Sequence, residues 1–234
     1  MRSRLLAAVA ACVLLAACAA PVPRQVMPAG GVPAGLSTQA RSFVEVQQRL
    51  EPVAEAECAR MNPRANCDFL ILVDDRPGMP PNAFQTLNRQ GRPILAITTA
   101  LIARSQNADE LALVMAHEAS HHIAGHLARL DETASIGAAT FGRIAAQAAG
   151  ATPEMIEQAQ MVGAQVAIRS YSKEWELEAD RLGARVAAMA GFDPVLGAEF
   201  FRRIPDPGNR RWGTHPSNAE RIAVVRQAAA EMGL

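Results

Sequence analysis

The apolar positions of this chain change period several times, and each change predicts an element. From Ser37 to about Met61 they recur every three or four residues, placing Phe43, Val46, Leu50, Val53 and Ala54 on one helical face. Pro52 lies inside that helix and is expected to bend or split it. Phe69-Leu70-Ile71-Leu72-Val73 is a short, wholly apolar run closed by Asp74-Asp75 and Pro77-Gly78, the pattern of a buried strand. Pro93 to Thr98 reads as a second strand after a turn at Gln90-Gly91, with a helix expected from about Thr99. Asn107, with Glu110 three positions on, resembles a capping box. The helix it opens is predicted to run to about Leu130, burying Leu111, Val114, Met115, Ile123 and Leu127. Residues 134–168 are rich in Ala and Gly, and Arg143 interrupts them, so they do not read as a membrane span. A further helix is predicted from about Ser172 to Ala190, stopped by Gly191, and a short one from Pro194. Ser217 with Glu220 opens the last helix, over residues 218–232.

The first 35 residues follow another logic. Arg2 and Arg4 precede an apolar run, Leu5 to Leu15, that is too short for a permanent span and reads as an export signal. Its end, Leu15-Ala16-Ala17-Cys18, resembles the lipobox of bacterial lipoproteins. That resemblance implies removal of residues 1–17 and a lipid on Cys18, with Ala19 favouring the outer membrane. Residues 18–35, mostly Pro, Gly and Ala, form a lipid-anchored flexible tether spanning roughly 20–25 Å, and one domain occupies 36–234. Cys12 leaves with the signal. Cys58 and Cys67 then remain as a pair in an oxidising compartment, where a disulfide contributing on the order of 2–3 kcal/mol is expected. The alternative is two buried thiols.

Composition narrows the class. Basic and acidic residues both number 23, so the chain has no basic field for nucleic acid. Aromatic residues are only 4% while Ala is abundant, which favours a helix-rich body over a β-sandwich.

The chemistry is concentrated in His117-Glu118-Ala119-Ser120-His121, a match to H-E-x-x-H inside the capped helix. Residues four apart share a helical face, so both imidazoles reach one cation, while Glu118 stands one step round and meets a water. Catalytic zinc normally takes three protein ligands. On an unbroken helix His126 lies about 180° from His117, and His122 is similarly turned away, so both are read as supporting or surface histidines. The third ligand is sought in Glu174-Trp175-Glu176-Leu177-Glu178-Ala179-Asp180. There Glu176 and Asp180 share a face, and Glu174 and Glu178 point about 200° away. Zinc is assigned to Glu176, and the support of a ligand histidine to Asp180.

These blocks, with Ser172-Lys173 and Gly183 flanking the second, resemble the HtpX-like and CAAX-prenyl-protease-type zinc metallopeptidases, peptidase family M forty-eight, in its small bacterial lipoprotein branch. Thr214-His215-Pro216 followed by Arg221-Ile222 is similar to that family's late His-Pro…Arg-Ile element, and the likeness covers about residues 40–230. It implies an α+β, mostly helical gluzincin-type metallopeptidase fold, with a small sheet beside the zinc helix. It also places the third ligand at the Glu four before the Asp.

The expected activity is that of a zinc-dependent endopeptidase using a water activated by zinc and Glu118, with His215 or Arg221 donating to the oxyanion. His215 is alternatively a loop residue beside Pro216, or an occupant of the open zinc position at rest. Expected partners are unfolded or misassembled envelope proteins, among them outer-membrane proteins or their assembly machinery, met from the periplasmic side of the membrane. The competing reading is a chaperone-like binding module with a closed or structural zinc site, residues 134–168 serving as its contact surface or plug.

Overall fold

The computed structural model describes residues 37–208 and 216–234; the expected signal, Cys18, the tether and His215 lie outside the described residues. Helix α1 (Thr38–Met61) starts where the Ser37 side chain accepts from the Ala40 backbone N–H, and it buries Phe43, Val46, Leu50, Ala54 and Cys58. It is not split at Pro52. The carbonyl that Pro52 leaves without its helical partner is that of Gln48, and both residues are exposed, so that carbonyl is open to solvent while the opposite face stays packed. A disulfide joins Cys58 to Cys67, with their Cα atoms 5.6 Å apart.

Three strands follow: β1 (Leu70–Asp74), β2 (Ala83–Leu87) and β3 (Pro93–Thr98), in the order β1-β3-β2. β1 runs parallel to β3, and β2 antiparallel to it. All six residues of the central β3 are buried, which is why it reads as a continuous apolar run. β2 is an edge strand of half-buried residues whose pattern does not announce it. Thr98 ties it down: its hydroxyl accepts from the backbone N–H groups of Asn82 and Leu101 and lies 3.1 Å from the Pro80 carbonyl. β3 thereby leads directly into α2 (Thr99–Arg104).

Helix α3 (Ala108–Ile123) opens at Asn107, whose side chain accepts from the Glu110 N–H at 2.9 Å. It ends seven residues short of the expected Leu130. Gly125, at φ 68°, takes the left-handed conformation that lets the chain turn, and α4 (His126–Ala146) restarts on a new axis. Residues 134–168 are likewise more regular than expected. They form the arms of a hairpin between α4 and α5 (Pro153–Met189), the latter absorbing the helix expected at Ser172–Ala190. Gly137 and Gly163 meet backbone to backbone, so that a Cβ on either would run into the carbonyl oxygen of the other. Close packing through glycine leaves Ile136, Ile144, Met155 and Met161 exposed, and no apolar stripe marks the interface.

A short α6 (Pro194–Gly197) passes into a 3-10 turn (Ala198–Arg202), and α7 (Asn218–Glu231) opens with the expected Ser217–Glu220 capping box. α3 packs against α1, α5 and α6 and is buried on almost every side. The result is a mostly helical α+β fold with the sheet beside the histidine helix, as the sequence predicts. Among the described residues, no helix is long and apolar enough to cross a membrane.

Candidate metal centre

The approach of α5 to α3 is set by Gly183. A Cβ there would stand 2.9 Å from the His117 nitrogen and 3.0 Å from its Cα. That contact lays one face of α5, carrying Glu176 and Asp180, over His117 and His121. The Nε2 atoms of the two histidines are 3.1 Å apart, and the Glu176 carboxylate oxygens lie 3.6 Å from His117 Nε2 and 3.5 Å from His121 Nε2. One donor atom from each of the three falls within 4.8 Å of the others. A tetrahedral zinc with bonds near 2.0–2.1 Å separates its ligand atoms by about 3.3–3.4 Å, so this donor set fits such an ion in chemistry and spacing. Glu174 is exposed on another side of the helix.

Behind His117, Asp180 is fully buried and accepts from Nδ1 at 2.8 Å. Arg221, carried by α7, grips the same carboxylate, Nε to Oδ2 at 2.8 Å and Nη2 to Oδ1 at 2.6 Å, with its guanidinium 4.1 Å above the Phe201 ring. Burial alone would raise the Asp180 pKa, but the hydrogen bonds and charge of Arg221, with His117 beside them, hold it at about 2. Burial works against a charged His117, yet the Asp180 carboxylate lifts its pKa above the ordinary value. For His121, burial and the neighbouring His117 outweigh the Glu176 carboxylate and push its pKa down to about 3. Arg221 therefore reaches the site on the Nδ1 side of His117, with two nitrogens committed to Asp180.

Glu118, His117, His121 and Glu176 line a cleft of about 730 Å³ walled by Phe84 of β2 and Trp175 of α5. Burial raises the Glu118 pKa above the usual carboxylate range, partly offset by His117 and Arg221. A neighbouring carboxylate, Glu176, pushes the same way as burial.

Residues 40–229 match peptidase family M48. The chain belongs to that family. Within the matched span, His117, His121 and Glu176 form a group that could hold a metal ion. A "Putative beta-barrel assembly-enhancing protease" of Vibrio cholerae is 34% identical over 151 residues, 58% of this chain and 31% of that protein. The "Beta-barrel assembly-enhancing protease" of Escherichia coli K12 is 30% identical over 150 residues, 59% of this chain and 31% of the relative. The "Mitochondrial metalloendopeptidase OMA1" of Arabidopsis thaliana is 25% identical over 138 residues, 57% of this chain and 27% of its own length. The matched region thus spans under a third of each of these relatives. The crystal structure of S. mikatae Ste24p overlaps at a TM-score of 0.44 and 15% identity, over 75% of this chain and 49% of that one.

The two further histidines of the run part company, and the continuous-helix angle holds for only one of them. His126, swung round by the break at Gly125, places its Nδ1 2.8 Å from His121 Nδ1, and its Nε2 lies 3.2 Å from Glu178. The signal was Gly125 itself, a left-handed helix stop inside the histidine run. His122 does turn away, its Nε2 2.8 Å from the Asn66 carbonyl oxygen.

Proposed function

We propose that this M48 metallopeptidase is a zinc-dependent endopeptidase of the bacterial envelope, cleaving unfolded or misassembled envelope proteins. The observation that carries the reading is the convergence of His117, His121 and Glu176 beside Glu118 in one cleft. When bound, zinc supplies Lewis acidity that polarises the scissile carbonyl and lowers the pKa of a water towards about 7. The protein's own groups do the rest. Glu118 takes the proton of the attacking water and returns it to the leaving amine, a task suited to a carboxyl whose pKa burial has raised. Arg221, committed through Nε and Nη2 to Asp180, braces His117, and the oxyanion donor in this reading is His215 or Arg221. Substrate adds as an extended strand along β2, whose Ala83, Phe84 and Gln85 border the cleft and which, among the described residues, pairs with β3 on one side only. Main-chain pairing of this kind accepts many sequences.

The envelope setting rests on the signal and Cys18 read in the sequence, and on relatives named for β-barrel assembly. The chaperone-like reading draws on the exposed Ile136, Ile144, Met155 and Met161 of the hairpin. One comparison separates the two. Glu118→Gln should bind zinc as the wild type does and lose at least about 100-fold in cleavage of an unfolded protein. Unaltered turnover would remove Glu118 from the chemistry. Equal rescue of an envelope defect by both forms would favour binding over proteolysis.

A further inference from the structure

His121 requires a partner as much as His117 does, and no carboxylate touches its Nδ1. The atom that does is His126 Nδ1, at 2.8 Å, and His126 is only 4% exposed. Two ring nitrogens at that separation need one proton between them, and the geometry decides whose it is. With the His121 Nε2 lone pair turned toward His117 and Glu176, the His121 proton sits on Nδ1 and is donated. His126 must then accept at a bare Nδ1 and carry its own proton on Nε2. That nitrogen faces Glu178 Oε2 at 3.2 Å, an acceptor that also receives Arg129 Nη1 at 2.7 Å. The reverse arrangement would put the His121 proton on Nε2, among the metal donors, and set a bare His126 nitrogen against a carboxylate. Trp175, stacked on His126 with ring centroids 5.9 Å apart and planes inclined by 21°, holds the ring in this plane.

We propose that His126 and Glu178 are positioning residues that fix His121 in its metal-binding tautomer through a relay from the Glu178 carboxylate to His126 Nε2–H, and from His126 Nδ1 to His121 Nδ1–H. The two ligand histidines are then oriented by different devices: Asp180 and Arg221 from α5 and α7 for His117, a second histidine backed by a carboxylate for His121. The inference rests on the zinc reading above, and its test distinguishes the two.

The full chain, stripped of metal, is titrated with zinc against a chromophoric chelator, and the melting of each metal-free variant is recorded. His126→Leu should melt near the wild type and bind zinc about 10–100-fold more weakly. His126→Asn, whose Oδ1 stands near the position of Nδ1 and still accepts, should stay within about threefold of the wild type. A leucine variant with wild-type affinity, or an asparagine variant as weak as the leucine one, overturns the relay while leaving the zinc site intact. A wild type that binds no zinc overturns the zinc reading and the relay with it. Should the leucine variant not fold, the tautomers decide. Histidine nitrogen NMR of the zinc-loaded wild type should show His126 protonated at Nε2 and bare at Nδ1, and a proton on its Nδ1 contradicts the relay.

Discussion

Asp180 carries two demands at once, and the two can be separated by mutation. It orients His117, and it neutralises Arg221, a nearly buried cation with its Nε and Nη2 on that one carboxylate. Removing one partner of a buried pair typically costs about 3–5 kcal/mol, because the other charge stays behind unpaired. Asp180→Ala should therefore lower unfolding stability by roughly that amount in a denaturant titration and weaken zinc binding about 10–100-fold. Glu176→Ala should behave differently. It removes a ligand without stranding Arg221, so zinc binding and activity should vanish while the metal-free stability changes by under about 1 kcal/mol. If both variants lose stability alike, the division of labour between ligand and support is wrong.

At the scale of elements, the site depends on how closely α5 lies on α3. Gly183→Ala would press a methyl group into the His117 backbone and lift the Glu176–Asp180 face away. Overpacking of this kind costs about 1–3 kcal/mol, and zinc affinity should fall with it. Gly163→Ala, at the hairpin contact with Gly137, should loosen the arms and leave zinc affinity unchanged. Parallel zinc titrations of the two variants check the contrast. The elements legible in the sequence are those whose signals are local: β3 by its apolar run, α3 and α7 by their caps, Glu176 and Asp180 by their helical spacing. The rest was set by tertiary context. Pro52 is tolerated because it faces water, and the hairpin packs through glycines that leave no apolar stripe. β2 is a half-buried edge, and its role beside the cleft comes from Thr98 pinning its start. His126 is a supporting histidine as read, but it faces His121 and not the far side of the helix because Gly125 redirects the axis, and an angular argument holds only while the axis is continuous.

For the molecule as a whole, the candidate metal centre sits on an extensive apolar core. α3 is buried against α1 and α5 through Leu111, Met115 and Ala116, and the Asp180–Arg221 pair closes α7 onto the same body. Chelation should thus abolish peptidase activity while leaving the far-UV circular dichroism unchanged. A collapse of helicity on chelation would mean that the ion is structural. The proposed anchor adds a prediction outside the described residues: Cys18→Ser should move the protein from the membrane fraction to the soluble one, and retention at the membrane would argue against lipidation. The measurement that bears most directly on the whole account is the zinc content of the purified chain with and without Glu176→Ala. The wild type should hold one zinc ion per chain and the variant almost none; equal zinc in both, or none in the wild type, would contradict a His117–His121–Glu176 centre.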